Sequence, residues 1–202
     1  KRQVLEFLSG RTPCGFVFNL EVTPMKKSLI AVALLGVTTL ASAQSWKFLP
    51  LFTDPAHKLQ PTLALTVDNV KPDGASSATS TGLEFNFNCG LIQDPDNRIR
   101  TSLKLHRSKE DGLTATTFEL SPRYTLPLGN GLSVGAGPSL ASVRLTSAGP
   151  SQSLWGAGVA VGAEWRTGAM FVGADLRWHD MQKKNGVGYD HTSVGVRVGI
   201  NF

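Results

Sequence analysis

Residues 192–202, TSVGVRVGINF, decide the fold of this chain because they alternate strictly between two kinds of side chain. One face carries Val194, Val196, Val198, Ile200 and Phe202, and the other carries Ser193, Gly195, Arg197, Gly199 and Asn201. A period of two is the pattern of a β-strand whose two faces meet different surroundings. The first face suits hydrocarbon, whereas the second is small, polar or charged.

Seven further segments between about residue 61 and residue 181 repeat this alternation, which brings the strand count to eight. Their apolar faces carry, in chain order, Leu63, Leu65 and Val67; Leu83, Phe85, Phe87 and Cys89; Ile99, Leu103 and Leu105; Phe118, Leu120, Tyr124 and Leu126; Leu132, Val134, Ala136 and Leu140; Trp155, Val159, Val161 and Trp165; and Met170, Val172, Leu176 and Trp178. In the fifth segment, Pro138 and the switch to Val143 and Leu145 predict a bulge. We predict an all-β fold, an eight-stranded antiparallel up-and-down transmembrane β-barrel over residues 61–202.

The predicted connections alternate in length. Three are tight turns, at residues 94–97, 129–131 and 167–169, and four are longer polar loops, at about residues 71–80, 107–113, 146–153 and 182–190. Short periplasmic turns and longer outer loops are typical of outer-membrane barrels, and an even strand number returns Phe202 to the periplasmic side.

The second face of the predicted strands points into the barrel and carries ten charged residues. They are Asp68, Glu84, Arg100, Lys104, Glu119, Arg123, Glu164, Asp175, Arg177 and Arg197. An eight-stranded barrel is only wide enough for side chains to fill it, and buried charges have to be paired. We therefore predict a polar network that plugs the lumen, with a narrow proton or ion path as the alternative.

Aromatic residues stand near both ends of the predicted apolar belt. Trp155 and Trp165 are ten positions apart on one strand face, which at ~3.3 Å per residue and a tilt near 40° separates them by roughly 25 Å along the membrane normal. That is the height of the apolar band of membrane barrels. Together with Trp178 and Tyr124, these residues form a predicted aromatic girdle.

The N-terminal part of the sequence carries the pattern of an export signal. Met25-Lys26-Lys27 precedes the apolar stretch SLIAVALLGVTTL and the small residues Ala41-Ser42-Ala43, which is the order found in a cleavable signal peptide. We predict a signal peptide over residues 25–43 and an upstream extension over 1–24 that is absent from the mature protein. Residues 44–60 are then a periplasmic or interfacial lead-in.

Removal of residues 1–43 changes how the composition is interpreted. These residues hold five basic and two acidic side chains, so the net charge falls from +5 to +2 and the pI of 9.4 does not indicate nucleic-acid binding. The mean hydropathy of −0.03 argues against a helical membrane protein but suits strands that alternate apolar and polar residues. Cys89 remains as the one cysteine of the predicted mature chain, which excludes an internal disulfide.

Three histidines, His106, His179 and His191, fall on the predicted inner face near one rim. Such a group could bind a metal or supply a base beside Ser193, but no spacing motif supports either role. We predict that the histidines are hydrogen-bonding fillers, and that the chain has no catalytic, cofactor or metal site.

A soluble lipocalin-like barrel is the alternative fold, since its apolar face would point inward. Its outer strand faces would then carry Gly156, Gly158 and Gly162, and glycine runs make poor soluble strands. In a narrow lumen the same glycines make room for charged side chains from neighbouring strands.

With this strand pattern and the terminal VGVRVGINF, residues 61–202 resemble the family of small eight-stranded outer-membrane barrels that includes the OmpA membrane domain, OmpX and opacity-like surface proteins. In that family a C-terminal alternating apolar segment ending in an aromatic residue is the signal read by the barrel-assembly machinery, and Val196, Val198, Ile200 and Phe202 match it. The resemblance implies a Gram-negative outer-membrane location, contact with membrane lipid and lipopolysaccharide, and assembly by that machinery.

In line with this resemblance, we predict a monomeric, non-enzymatic barrel with a structural or surface role. Some barrels of this kind are lipid A-modifying enzymes that carry a His and a Ser two residues apart on the lipid face. His191 and Ser193 have that spacing but lie on the opposite face from Val194. A lipid A-modifying enzyme and a narrow pore are therefore the alternatives.

Overall fold

Eight long strands make up most of the described chain. A computed structural model describes residues 46–110, 112–147, 150–184 and 186–202, so the predicted upstream extension, the predicted signal peptide and the first residues of the lead-in lie outside the described residues. The strands are β1 (Thr62–Pro72), β2 (Ala78–Asn88), β3 (Ile99–Glu110), β4 (Leu113–Gly129), β5 (Leu132–Thr146), β6 (Gln152–Thr167), β7 (Met170–Met181) and β8 (His191–Asn201).

The strands form one closed antiparallel barrel. Each strand pairs with the next in chain order, and β8 pairs with β1 from Asn201 opposite Thr62 to His191 opposite Pro72. Closure pairs the first and last strands, which removes the exposed edges that an open sheet would present. The predicted eight-stranded up-and-down barrel is confirmed.

The alternation in the sequence sets the direction of each side chain. On β8, Val194, Val196 and Val198 are more than half exposed on the outside of the barrel, whereas Arg197 is 1% exposed inside it. The same parity holds on the other strands, so the outer surface is rich in Leu, Val, Phe and Trp. An apolar outside around a polar inside suits a barrel in lipid and argues against the lipocalin-like alternative.

The bulge predicted at Pro138 is wrong. The register of β5 against β4 is the same before and after this residue, from Leu140 opposite Leu120 to Ala136 opposite Tyr124, and it shifts only near the hairpin, between Pro127 and Gly129. Val143 and Leu145 simply continue the inward face. They are apolar because the lumen itself becomes apolar at that end.

The two ends of the barrel differ in their connections. We call the end that holds Pro61 and Phe202 the terminal rim and the opposite end the loop rim. The loop rim carries the connections 73–77, 111–112, 147–151 and 182–190, and the terminal rim carries 89–98, 130–131 and 168–169.

Two predicted connection lengths are wrong. The loop expected at 107–113 is a two-residue hairpin, because β3 continues to Glu110, which lies opposite Leu113. Gly112 adopts a φ of 75°, as a tight turn requires. The turn expected at 94–97 is present, but it lies inside the ten-residue connection 89–98.

The lead-in folds beside the terminal rim. Its short strand Lys47–Phe48 pairs with Ile92–Gln93 of the long connection, and the single-turn helix Pro50–Thr53 follows. The Lys47 ammonium lies 2.6 Å from the Asp54 carboxylate, and this hydrogen bond lowers the pKa of Asp54 below its ordinary value.

In the described part of the chain, no helix is long and apolar enough to cross a bilayer.

The expected position of Cys89 on the lipid-facing surface is also wrong. The strand β2 ends at Asn88, and Cys89 follows it as a buried residue whose backbone N–H donates to the carbonyl of Ile99. The lead-in lies against the residues that follow, since the Leu49 N–H donates to the Leu91 carbonyl at 2.7 Å and the Leu51 N–H to the Gly90 carbonyl at 3.3 Å, so Cys89 does not continue the exposed outer face of β2.

Gly158 provides a test of how closely the strands approach on the inner face. A Cβ at this position would collide with the backbone carbonyl oxygen of Trp178 on β7. Because that carbonyl cannot move without disturbing the β6–β7 ladder, we expect Gly158→Val to destabilise the barrel by more than the ~1–3 kcal/mol that is typical of over-packing. Urea unfolding of the protein refolded in detergent measures the effect.

The matched control is Ala157→Val, the neighbouring position on the exposed face of the same strand. We expect a change within about 0.5 kcal/mol for this control, as for most surface substitutions. Equal stability of the two variants would contradict the assignment of Gly158 to a crowded inner face.

Candidate functional site

The middle of the lumen holds a set of ion-paired side chains, which we call the charged layer. Its members are Asp68, Glu84, Lys104, Glu119, Arg123, Asp175, Arg177 and Arg197, and each is at most 5% exposed. Arg177 lies at the centre of the layer, with Nη2 2.9 Å from a Glu84 oxygen and Nε 3.0 Å from an Asp175 oxygen. Its Nη1 donates to Glu119. One guanidinium thus holds carboxylates from three different strands.

The other members complete a balanced network. The remaining ion pairs are Arg197 with Glu84 (2.5 Å) and Asp175 (3.1 Å), Lys104 with Asp68 (2.5 Å), and Arg123 with Asp175 (3.6 Å). Four carboxylates face four cationic groups, so the fully ionised layer carries no net charge. Mutual pairing of this kind is what allows charges to be buried at all, because an unpaired ion in a dry interior costs several kcal/mol.

A second group, the terminal layer, fills the lumen at the terminal rim. Arg100 donates to the Asn86 and Asn88 side chains, both at 2.7 Å, and lies 3.9 Å from Glu164. Arg166 pairs with Glu164 at 3.2 Å and lies 4.7 Å above the ring of Phe171.

Neither Arg166 nor Phe171 was among the predicted lumen residues. The alternation of β6 places Arg166 on the inward face with Glu164, although the ten predicted lumen residues leave it out. The buried Phe171 was hidden because its neighbours Met170 and Val172 made the start of β7 look uniformly lipid-facing.

Three histidines form a third group, the histidine layer, on the loop-rim side of the charged layer. His106 bridges the Ser80 hydroxyl at 2.7 Å and Glu119 Oε1 at 3.0 Å. His179 and His191 lie opposite each other on β7 and β8, and their rings stack with centroids 4.9 Å apart. The sequence predicts all three on the inner face, and the structure brings them together there.

An apolar cap closes the lumen beyond the histidine layer. It consists of Ala115, Ala141, Val143, Leu145, Leu154, Met181 and Tyr189, all buried. Burial raises the pKa of the Tyr189 hydroxyl, which lies in the connection after β7. Leu145 and Tyr189 also line a cavity of about 310 Å³ that opens at the loop rim. The sequence alone does not predict this cap.

All ten predicted lumen residues lie inside the barrel. Eight of them form the charged layer, and Arg100 and Glu164 belong to the terminal layer. From the terminal rim to the loop rim, the order is therefore terminal layer, charged layer, histidine layer and apolar cap. These side chains fill the interior with paired charges and, towards the loop rim, with the buried apolar cap, which favours a plug over an open channel.

The predicted girdle residues lie outside the barrel at two levels. Trp155 and Trp178 lie towards the loop rim, whereas Trp165 and Tyr124 lie towards the terminal rim. The Trp165 indole donates to the Asn130 carbonyl at 3.1 Å, and the Tyr124 hydroxyl donates to Asp94 at 3.1 Å. Aromatic rings with a satisfied polar tip are typical of a membrane–water interface.

The predicted assembly-signal residues Val196, Val198, Ile200 and Phe202 all face outward and are at least half exposed. They lie on the last strand and just after it, and Phe202 donates its backbone N–H to the carbonyl of Pro61 at 2.9 Å. The C-terminal segment therefore presents one apolar row along the seam where the barrel closes.

Comparison with known proteins supports the fold. No protein-family model matches the chain, and no curated protein matches it. Neisserial surface protein A (NspA) is similar in structure, with a TM-score of 0.51 at 17% identity over 71% of this chain and 95% of that one. Two further similar structures are the N-terminal barrel of Pseudomonas aeruginosa OprF (TM-score 0.49, 18% identity, 72% and 100% covered) and Ail of Yersinia pestis (TM-score 0.44, 12% identity, 72% and 100% covered). The similarity to NspA confirms the predicted resemblance in fold: the chain has the architecture of a small eight-stranded outer-membrane barrel.

Proposed function

We propose that this chain is a monomeric, non-enzymatic barrel of the Gram-negative outer membrane with a structural or surface role. The observation that carries the proposal is the combination of an apolar, half-exposed outer face with a lumen filled by the charged layer. Such a molecule contributes a stable, lipid-embedded body and a set of loops, and it conducts nothing through its interior.

The rims support one orientation in the membrane. The terminal rim, with two two-residue hairpins and both barrel termini, corresponds to the periplasmic side, and the loop rim faces outward. Exposed Lys109, Lys183 and Lys184 then lie on the outer side, where cationic side chains can contact the phosphates of lipopolysaccharide. The row that ends in Phe202 is then available to the barrel-assembly machinery during insertion.

The lead-in fits the inner membrane interface in this orientation. Phe48, Leu51 and Phe52 are exposed beside the terminal rim, next to charged residues such as Lys47 and Asp54. An apolar surface bordered by charge suits the boundary between headgroups and acyl chains.

The lipid A-modifying alternative needs a nucleophile and a base that reach lipid. His191 and Ser193 are 2% and 1% exposed and face the lumen, separated from the bilayer by the barrel wall. The pore alternative needs a continuous aqueous path, but the ion pairs of Arg177 and the apolar cap occupy the interior.

Planar-bilayer recording tests the proposed function against the pore alternative. We expect the inserted wild-type barrel to give no discrete conductance steps above bare lipid, since the charged layer blocks the lumen. Stable single-channel steps that scale with salt would contradict the proposal. Mass analysis of lipid A from cells that overproduce the protein tests the enzyme alternative, and we expect an unchanged lipid A pattern.

A further inference from the structure

We propose that Glu119, His179 and His191 form a binding site for one first-row divalent transition-metal ion, with Zn²⁺ as the representative ion. The three residues come from β4, β7 and β8 and meet between the charged layer and the apolar cap. Their potential ligand atoms all lie within 4.8 Å of one another, and all three side chains are buried. The inference goes beyond the structural role proposed above and does not depend on it.

Two buried ring nitrogens point to a missing ligand. Within the described residues, neither His179 Nδ1 nor His191 Nε2 has a hydrogen-bond partner, although the two side chains are only 4% and 2% exposed. A buried polar atom without a partner costs about 1–3 kcal/mol, so native proteins seldom leave two of them side by side. A metal ion would satisfy both nitrogens at once.

The hydrogen bonds on the far side of each ring leave those nitrogens suited to a metal. His191 Nδ1 lies 2.9 Å from the Tyr189 carbonyl, which can only accept, so Nδ1 carries the proton and Nε2 presents its lone pair. His179 Nε2 lies 2.8 Å from the Ser139 hydroxyl, which is itself 2.7 Å from the Ser121 hydroxyl. Ser139 can accept from His179 and donate to Ser121, which leaves Nδ1 of His179 unprotonated. Hydrogen bonds that fix the tautomer in this way are typical of metal-binding histidines.

Glu119 provides the carboxylate ligand, and neighbouring side chains hold it in place. Its oxygens accept from His106 and Arg177, but a carboxylate has about four lone-pair sites, so ligation remains possible. His106, held by Ser80, thereby becomes the positioning residue for Glu119.

Two histidines and one carboxylate match a known type of metal centre. This set is typical of zinc with an open fourth position and of other first-row metals. Bonds of about 2.0–2.2 Å place two ligands at most about 4.4 Å apart, so small rotations of the side chains would bring the three atoms into range.

The test is a titration with Zn²⁺ alone, monitored by calorimetry. It uses the full chain, purified through a tag without histidine and refolded in detergent. Zn²⁺ is supplied either during or after refolding, because the apolar cap covers the site. We expect one tight Zn²⁺ equivalent. The affinity should fall by more than about a hundredfold in His179→Gln and His191→Gln, and by about ten- to a hundredfold in the positioning variant His106→Gln. His57→Gln, in the lead-in, is the matched control and should bind as the wild type does.

Folding of each variant is checked by its gel mobility before and after boiling. Absence of Zn²⁺ binding to the folded wild type would overturn the proposal, and so would unchanged affinity in a folded His179→Gln/His191→Gln double variant. If the variants do not fold, X-ray absorption at the zinc edge of the zinc-loaded wild type identifies the atoms that bind the ion. A nitrogen and oxygen shell with imidazole scattering supports the site, whereas a sulfur shell would assign the ion to cysteine and overturn the proposal.

Discussion

Arg177→Met should be the most destabilising of the single substitutions considered for this barrel, with an expected loss of at least about 3–5 kcal/mol. The reason is that Arg177 holds Glu84, Glu119 and Asp175 in a fully buried position. Methionine replaces the aliphatic stem of the arginine but not its guanidinium, so the variant loses packing at the centre of the layer and leaves excess negative charge in the lumen. Urea unfolding of barrels refolded into lipid vesicles measures the loss, and complete failure to fold would be its extreme form.

Two further variants separate the charge effect from the loss of packing. Arg144→Met removes an arginine from the exposed face of β5, and we expect a change within about 0.5 kcal/mol. Arg177→Met combined with Glu119→Gln removes one of the uncompensated charges and should recover part of the lost stability. A double variant no more stable than Arg177→Met would contradict the charge-balance explanation.

Val196→Arg is expected to have the second-largest effect. Val196 is 56% exposed on the outer face of β8, and it lies midway along the strand, opposite Val67 and Ala174. An arginine at the bilayer midplane on the lipid face of a barrel costs about 2–4 kcal/mol. The measurement is again the free energy of unfolding from lipid vesicles, where no assembly machinery is needed.

Thr192→Arg is the positional control on the same strand and the same outward parity. It lies next to His191 at the loop-rim end of β8, where a lipid-facing arginine costs only about 0–1 kcal/mol. A soluble barrel would tolerate both arginines equally on its outer face. Equal effects of the two substitutions would therefore contradict the placement of Val196 within lipid.

Strand parity was the most informative feature of the sequence. Because successive side chains point to opposite faces, Arg197 and Val196 could be assigned to the inside and the outside without any structure. The pairing partners could not be predicted in the same way. That Arg177 on β7 contacts Glu84 on β2 and Glu119 on β4 depends on how the closed barrel brings distant strands together across its interior.

The face of a side chain was predicted wrongly where its hydropathy disagreed with strand parity. Val143, Leu145 and Leu154 look like lipid-facing residues, and the first two suggested a bulge, yet all three keep the inward parity of their strands and form the apolar cap. The connection after β3 was misjudged because Arg107 and Lys109 looked like loop residues. They belong to a strand that continues to a two-residue hairpin.

The sequence places the three histidines at one rim and raises a metal site as a possibility, but it does not support a prediction of one. The sequence indicates three inward histidines near one rim, and nothing in their spacing suggests ligation. Their significance depends on Glu119 reaching the same point from β4 and on ring nitrogens whose partners are known only in three dimensions.

We propose that the apolar face of this barrel lies in lipid around a filled, ion-paired lumen. Electrophoresis of the detergent-refolded protein, with and without boiling, tests it most directly when combined with circular dichroism and a solubility test without detergent. We predict a β-rich protein that needs detergent or lipid and that changes its mobility on boiling, because the closed barrel resists unfolding by the gel detergent until it is heated. A protein that stays soluble without detergent and shows one mobility under both conditions would place the apolar face inside and contradict the account.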